Sequence, residues 1–262
     1  GDMRVQDKIA VVTGAASGIG RAIALKLAHE GAQVAILDLN EEPARQVADE
    51  IRSLGRQAEA YPGNVSDQAS VGSTVDRIAE RFGTIDILIN SAGVIASAPF
   101  LELPSADLRR LFEVNVFGLV YVSQAAGKIM VARGTGGAIL NVSSLNAEGP
   151  LYNVAHYTAT KAAVSMLTRS MALELAPYRI RVNEIRPASI ETELTRKALQ
   201  DPENRRMRIE TIPLGRIGQP EDLAGAAVFL CSDEASWITG ASLLTDGGLS
   251  LVPPMGKRPS RY

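Results

Sequence analysis

The sequence predicts an α/β fold, a doubly wound and mostly parallel sheet of about seven strands with helices on both faces. Short apolar runs bounded by turn residues alternate with longer stretches of helical spacing. The runs are continuously apolar rather than alternating, the pattern of strands buried on both faces. Successive runs are separated widely enough for right-handed crossovers, which take about 30 residues or more per β–α–β unit.

The first run, Ile9 to Val12, leads into a glycine-rich turn and a helical pattern containing Ile23 and Leu27. The second spans Val34 to Leu37. Val75, Ile78, Ala79 and Phe82 then fall on one helical face. Ile85 to Ile89 reads as the fourth strand and Ala138 to Val142 as the fifth, with Ile180 to Ile185 as a further one. Between the last two, Ala155 to Leu175 reads as a single helix. No Gly/Ser linker, low-complexity tract or internal repeat interrupts this rhythm. Residues 3–250 are therefore expected to form one domain, with 251–262, rich in proline and basic residues, as a C-terminal tail. The least regular region, Pro187 to Pro213, mixes Arg196, Lys197, Arg205, Arg206 and Arg208 with Glu191, Glu193, Asp201, Glu203 and Glu210. It reads as a solvated helical flap with paired charges or as a mobile lid over a substrate.

Composition excludes several function classes. The chain has 262 residues, of which 46% are hydrophobic and 21% charged. A chain of this size buries roughly three quarters of its unfolded surface, so it needs no disulfide or metal staple. The formal net charge of −2 argues against nucleic-acid or anionic-membrane partners, which call for a basic face. Cys231 is the sole cysteine and cannot form an internal bridge, which fits a reducing, cytoplasmic setting. No unbroken apolar run reaches 18 residues, so no membrane span is expected. Gly1 and Asp2 read as an extension ahead of a natural start at Met3, and no signal-peptide core follows.

Thr13-Gly14-Ala15-Ala16-Ser17-Gly18-Ile19-Gly20 joins the first strand to the first helix. Glycines there let backbone amides approach a pyrophosphate, and the helix N-terminus favours negative charge. The same glycines also suit a merely tight turn. Asp38 ends the second strand, eighteen residues beyond Gly20. An acid about 20 residues on is placed for the hydroxyls of an adenosine ribose, the Rossmann-like arrangement. Its carboxylate would repel the 2′-phosphate of NADP, and Ala15, Ala16, Ser17 and Leu39 supply no compensating base. The expected cofactor is NAD. The bland alternative makes Asp38 a solvated helix start ahead of Asn40 and Glu41.

Tyr157 and Lys161 stand four apart in the predicted helix, on one face and about one turn from each other. A tyrosine with a pKa near 10 is a poor base at neutral pH. An ammonium within about 4 Å, at an effective dielectric of about 20, is worth roughly 4 kcal/mol before desolvation is set against it. That pairing makes a usable general acid/base. Ser143 and Ser144 follow the fifth strand, and Asn115 lies in a long helical stretch. Both histidines, His29 and His156, are isolated in sequence, so no metal site is expected. His29 reads as a C-terminal cap of the first helix. His156 reads as a partly buried helix-start residue or as part of the site entrance.

From Lys8 to about Gly248 this ordered set resembles the short-chain dehydrogenase/reductase family. Thr13 to Gly20, including Gly14, Ser17, Gly18, Ile19 and Gly20, is similar to its cofactor loop, with Asp38 and Leu39 beyond. Asn64-Val65 resembles its adenine-holding pair, with Asn in place of the usual Asp. Asn90-Ser91-Ala92-Gly93 resembles its Asn-Asn-Ala-Gly motif, and Pro187-Ala188-Ser189-Ile190-Glu191-Thr192 its Pro-Gly-x-x-x-Thr turn. The resemblance implies cofactor contacts from Asn90, Ala92, Gly93, Pro187, Ile190 and Thr192, the last two at the nicotinamide carboxamide. It implies a catalytic tetrad of Asn115, Ser144, Tyr157 and Lys161, with Tyr157 as acid/base and Lys161 lowering its pKa and holding the nicotinamide ribose. Ser144 would bind the substrate oxygen, and Asn115 would keep a water chain.

The implied activity is hydride transfer between NAD(H) and a secondary alcohol or ketone. Asn146, Tyr152 and His156 would add polar groups to the substrate wall, favouring a sugar, polyol or cyclic alcohol. Alternatives are a non-catalytic NAD-binding sensor or scaffold, and a ketone or 3-oxoacyl reductase working mainly in reduction. Sugar epimerases and dehydratases among the longer relatives usually carry an added C-terminal domain, whereas here only a short tail is expected after Gly248. The resemblance also implies a homotetramer or homodimer. Phe112, Val116, Val120, Val164 and Leu167 suit either core or subunit interface.

Overall fold

The computed structural model describes residues 3–252. Seven parallel strands form one sheet in the order β3-β2-β1-β4-β5-β6-β7. The strands are β1 (Ile9–Thr13), β2 (Gln33–Asp38), β3 (Ala58–Pro62), β4 (Ile87–Asn90), β5 (Gly137–Val142), β6 (Ile180–Pro187) and β7 (Ser242–Thr245). The intervening helices are α1 (Gly18–His29), α2 (Glu41–Ser53), α3 (Gln68–Phe82), α4 (Ser105–Phe112), α5 (Leu119–Arg133), α6 (Ala155–Leu175), α7 (Glu193–Leu199), α8 (Pro202–Thr211) and α9 (Glu221–Cys231).

The five runs of the sequence are the five inner strands, although the run in β6 is apolar only in part, since it also holds Arg181, Asn183 and Glu184. The edge strands β3 and β7 carry no such run, because an edge has a solvated side; β7 leaves Leu243 and Leu244 partly exposed. Alternation splits the core into two layers. Val12 and Ile36 pack with α1, α2 and α9, while Val11, Leu88 and Ile139 pack with α3, α5 and α6. Helix α6 has the predicted bounds. His29 is the final residue of α1.

Asn115 lies in a π-helical turn, Glu113–Gly118, that joins α4 to α5 as one continuous helix. This run, Ser105–Arg133, is long and apolar enough to cross a membrane by composition, contrary to the expectation drawn from unbroken apolar runs. Half of its apolar window is buried inside the protein, as in a core helix. Val116 and Val164 prove to be buried, whereas Phe117, Met166 and Leu173 on the same elements are exposed.

The charged region after β6 folds into α7 and α8, with ion pairs Arg205–Glu191, Arg196–Glu193 and Arg206–Glu210. Leu199, Ile212 and Ile217 give it a small core of its own. Of the expected tail, residues 253–262 lie outside the described residues, as do Gly1 and Asp2.

Candidate active site

The strand order reverses between β1 and β4, and open α/β sheets bind ligands outside the strand ends at such a point. Thr13 there pairs with Asn90 on β4 and with Leu37 on β2. Its hydroxyl accepts from the Ser91 and Ala92 amides, both at 3.1 Å, tying the two strand exits together.

The glycines of the loop have different reasons to be there. A Cβ on Gly14 would lie 2.7 Å from Ala92 Cα, and one on Gly20 would lie 2.3 Å from the Gly14 carbonyl oxygen. Close packing of the chain on itself demands these two. Gly18 has φ +56°, and a Cβ on it would face only the Thr192 methyl at 3.5 Å. Exposed Ser17 is the N-cap of α1 but makes no side-chain cap. The first amides of α1, from Gly18, Ile19 and Gly20, are thus left for an anion. That uncapped start fits the pyrophosphate of a dinucleotide.

Asp38 is no solvated helix start. It is buried, and its carboxylate accepts from the Ala16 amide at 2.9 Å and the Asn40 amide at 2.8 Å. The carboxylate therefore sits against the glycine loop, and the neighbouring Leu39 side chain is exposed. The Asn64 carbonyl oxygen is taken up by the Ser66 amide and hydroxyl, leaving its NH2 group to donate. Val65 is buried under the π turn, 2.7 Å from where a Cβ on Gly118 would be.

Asn90 ends β4 at the strand exit. Its side chain is buried and donates to Ser123 Oγ and Asn141 Oδ1, each at 2.9 Å, in a network under the helices. The packed interior claims this amide, so only the Asn90 backbone lies near the strand exit. Ala92 and Gly93 do come to the site. A Cβ on Gly93 would lie 3.4 Å from Asn115 Oδ1 and 3.8 Å from Lys161 Nζ, so three distant segments converge on this glycine. Asn115 grips the loop from both sides, accepting from the Val94 amide at 2.8 Å and donating to the Val94 carbonyl at 2.9 Å. It also donates to Thr160 Oγ1 at 3.1 Å.

Lys161 is buried and donates to the Val142 carbonyl at 3.0 Å. Its Nζ lies 5.7 Å from the centre of the Tyr157 ring. Burial lowers the Lys161 pKa to about 8, with Glu184 opposing. Burial also pushes the Tyr157 phenol above its ordinary value, and the Ser144 hydroxyl pulls the other way. Desolvation penalises both charged forms, and on the phenol the opposing pull comes from Ser144 rather than from the expected ammonium. Ser144 is buried, and its Oγ accepts from the Asn146 amide at 3.1 Å as the cap of the turn Leu145–Ala147.

The turn after β6 brings Pro187 to the strand end and Ile190 beside Gly218. The Ile190 carbonyl accepts from Thr195 Oγ1 at 2.6 Å, while its N–H has no partner among the described residues. Thr192 closes a capping box with Thr195 at the start of α7, so its hydroxyl is engaged in the helix end.

The residues expected at the substrate wall stand in three different settings. Tyr152 is 93% exposed and stands in solvent. The Asn146 side chain is used within its own loop, donating to the Gly149 carbonyl at 3.0 Å. His156 is wholly buried rather than partly so, and neither ring nitrogen has a hydrogen-bond partner. Glu184 and Arg186, which no motif in the sequence marks, form an ion pair of 2.7 Å behind the site. Their charges share a strand with Arg181 and Asn183, so in the sequence they do not stand out from their neighbours.

A family model described as enoyl-(acyl carrier protein) reductase matches residues 14–250. The chain is 42% identical over 247 residues to an L-rhamnose 1-dehydrogenase (NAD(P)(+)) of Sphingomonas sp. (strain SKA58), covering 94% of this chain and 97% of that protein. It is 40% identical over 247 residues to a 7alpha-hydroxysteroid dehydrogenase of Escherichia coli (strain K12), covering 94% and 96%. A crystal structure of a gluconate 5-dehydrogenase from Burkholderia cenocepacia J2315, in complex with NADP and tartrate, superposes with a TM-score of 0.92 at 37% identity. It covers 96% of this chain and 98% of that one.

Proposed function

The chain belongs to the short-chain dehydrogenase/reductase family, an NAD(P)-dependent oxidoreductase of secondary alcohols, and from that premise we propose that it oxidises a sugar, polyol or cyclic alcohol with NAD⁺. The convergence of Gly93, Asn115 and Lys161 beside Tyr157 carries this reading.

In the proposed reaction Tyr157 takes the hydroxyl proton during oxidation and returns it during reduction. Ser144 donates a hydrogen bond to the substrate oxygen, where charge develops. Lys161 steadies the phenolate and holds the ribose next to the nicotinamide. Asn115 keeps Val94 and Thr160 in register, and with them the floor of the site. The uncapped amides of Gly18, Ile19 and Gly20 would hold the pyrophosphate, and the free Ile190 N–H the carboxamide. When bound, the nicotinamide ring accepts the hydride in oxidation and donates it in reduction.

The preference for NAD rests on Asp38, whose buried carboxylate lies against the loop with no basic side chain at Ala15, Ala16, Ser17 or Leu39. The substrate class leans on the rhamnose and gluconate relatives and on the polar Ser144 loop. Cytoplasmic residence is inferred from the lone, buried Cys231. A homotetramer is inferred from exposed Phe117, Met166 and Leu173 near α5 and α6 and from Leu243 and Leu244 on edge strand β7.

Purified protein assayed with NAD⁺ against sugars, polyols, cyclic alcohols and a bile acid tests the proposal. Turnover of the bile acid alone would discard the sugar and polyol reading, and turnover of long acyl thioesters alone would discard the whole class and point to the reductase suggested by the family model's description. Tyr157→Phe separates enzyme from sensor: the enzyme loses nearly all turnover while still binding NADH, whereas a sensor's behaviour barely changes.

A further inference from the structure

A buried charged unit lies beneath the catalytic residues and is linked to them through hydrogen-bonded arms in two directions. Glu184 and Arg186 are two apart on β6 and so share one face of the sheet. They are 0% and 4% exposed. A buried ion pair holds together only when further hydrogen bonds complete both partners. Here they do. Arg186 Nε donates to Glu184 at 2.7 Å, and Ser165 Oγ lies 3.0 and 2.7 Å from the two carboxylate oxygens. The Ser242 hydroxyl bonds the same carboxylate, and Arg186 Nη2 reaches Ser165 Oγ at 3.2 Å.

One arm leads to the lysine. Ser165 Oγ is 3.2 Å from Ser143 Oγ, which donates to the Lys161 carbonyl at 3.3 Å. The other arm leads to the serine. Arg186 Nη1 pairs with Glu148 at 2.7 Å, and Arg169 stands 3.8 Å from the same oxygen. Glu148 immediately precedes Gly149, whose carbonyl holds the Asn146 side chain, and the Asn146 amide holds Ser144 Oγ.

We propose that Glu184 and Arg186 are positioning residues for hydride transfer: a single buried ion pair that locks the Lys161 turn of α6 and the Ser144–Gly149 loop to each other. This rests on the tetrad reading given above. The groups with charge to offer Lys161 are the Tyr157 phenol on its own helix and Glu184 on β6, with Arg186 beyond. The other neighbouring segments supply the uncharged Gly93, Asn115, Ser143 and the Val142 carbonyl. Removing the Glu184 charge therefore disfavours the ammonium, since Glu184 opposes the lowering that burial imposes.

The test needs no substrate. With carbon-13 at the lysine side chains, six lysines give six titrating NMR signals, and Lys161→Met identifies the relevant one. In Glu184→Gln the Lys161 midpoint falls below its wild-type value, and Glu184→Asp restores part of the shift. An unchanged midpoint in folded Glu184→Gln overturns the proposal. Should that variant fail to fold, Glu148→Gln at the exposed end of the chain carries the test. Faster hydrogen exchange at the Asn146 amide supports the lock, and unchanged exchange overturns it. Failure of the tetrad reading shows separately, as wild-type protein that turns over no alcohol, and leaves both measurements interpretable.

Discussion

Lys161 Nζ lies 5.7 Å from the centre of the Tyr157 ring, yet its hydrogen bond goes to the Val142 carbonyl on β5. The ammonium is thus anchored to the sheet, and the phenol stands next to a cation whose position is fixed independently of it. Fixed charge placed before the reaction begins is what a proton-transfer site needs, because no reorganisation is then required at the moment of transfer.

Anchoring a cation in the interior has a thermodynamic consequence. The Lys161 pKa falls from 10.5 to about 8, so the unfolded chain binds more protons between those values. Stability rises with pH across that window, and below pH 8 the folded state carries the full penalty, roughly 3 kcal/mol. Lys161→Met should therefore lose turnover by about 100-fold or more while melting no lower than wild type at pH 7. Its advantage should shrink as pH rises from 8 toward 10.5. Thermal melts at pH 7 and pH 10 check this; a variant that melts well below wild type at pH 7 would refute it.

Two glycines should separate packing from chemistry. In Gly20→Ala the new methyl meets the Gly14 carbonyl oxygen at 2.3 Å, a backbone atom that cannot step aside. The expected cost is about 1–3 kcal/mol or more of stability, read as a lower denaturant midpoint. In Gly93→Ala the methyl enters ordinary contact range of Asn115 Oδ1 at 3.4 Å and Lys161 Nζ at 3.8 Å. That protein should fold close to normally, bind NADH more weakly and turn over slowly. Similar melting with normal turnover for Gly93→Ala would separate this glycine from the reaction.

Cofactor choice should follow Asp38. Wild-type protein is expected to favour NAD⁺ over NADP⁺ in kcat/KM by about tenfold or more, a difference of about 1.4 kcal/mol. Asp38→Ser with Leu39→Arg removes the repelling carboxylate and supplies a guanidinium for the 2′-phosphate. The preference should then reverse. Because Asp38 also accepts from the Ala16 and Asn40 amides, the double variant should melt at lower temperature. Equal use of both cofactors by the wild type would remove Asp38 as the discriminator.

The ease of reading the sequence tracks how many physical constraints bear on each residue. The inner strands were legible because burial on both faces favours apolar residues, with β6 the partial exception through Arg181, Asn183, Glu184 and Arg186, and α6 because its pattern is long. Edge strands β3 and β7 were not, since a solvated side relaxes composition. Tyr157, Lys161 and Asn115 were legible as a spaced set, but the π turn around Asn115 is a backbone choice with no side-chain signature. Asn90, Asn146 and Thr192 share a motif-like position and a competing hydrogen bond, and only three-dimensional packing decides which claim wins. The substrate wall was read from neighbours in sequence, and exposed Tyr152 shows how little adjacency says about direction.

His156 is the sharpest case of that last difficulty. It follows the turn that enters α6 and precedes Tyr157, yet the ring is 2% exposed and neither nitrogen has a partner. An unsatisfied buried polar group costs about 1–3 kcal/mol, and a neutral imidazole always carries one donor and one acceptor. Replacing it with an apolar side chain of similar bulk, His156→Leu, removes that cost without emptying the space. The variant should melt at the wild-type temperature or above it, with NADH affinity unchanged. If turnover also persists, His156 is interior packing that happens to be polar. If stability rises while KM for the alcohol climbs tenfold or more, about 1.4 kcal/mol of lost binding, the ring's unmet hydrogen bonds belong to the substrate. A variant that melts below wild type would mean instead that the ring is satisfied in solution and contributes to the fold.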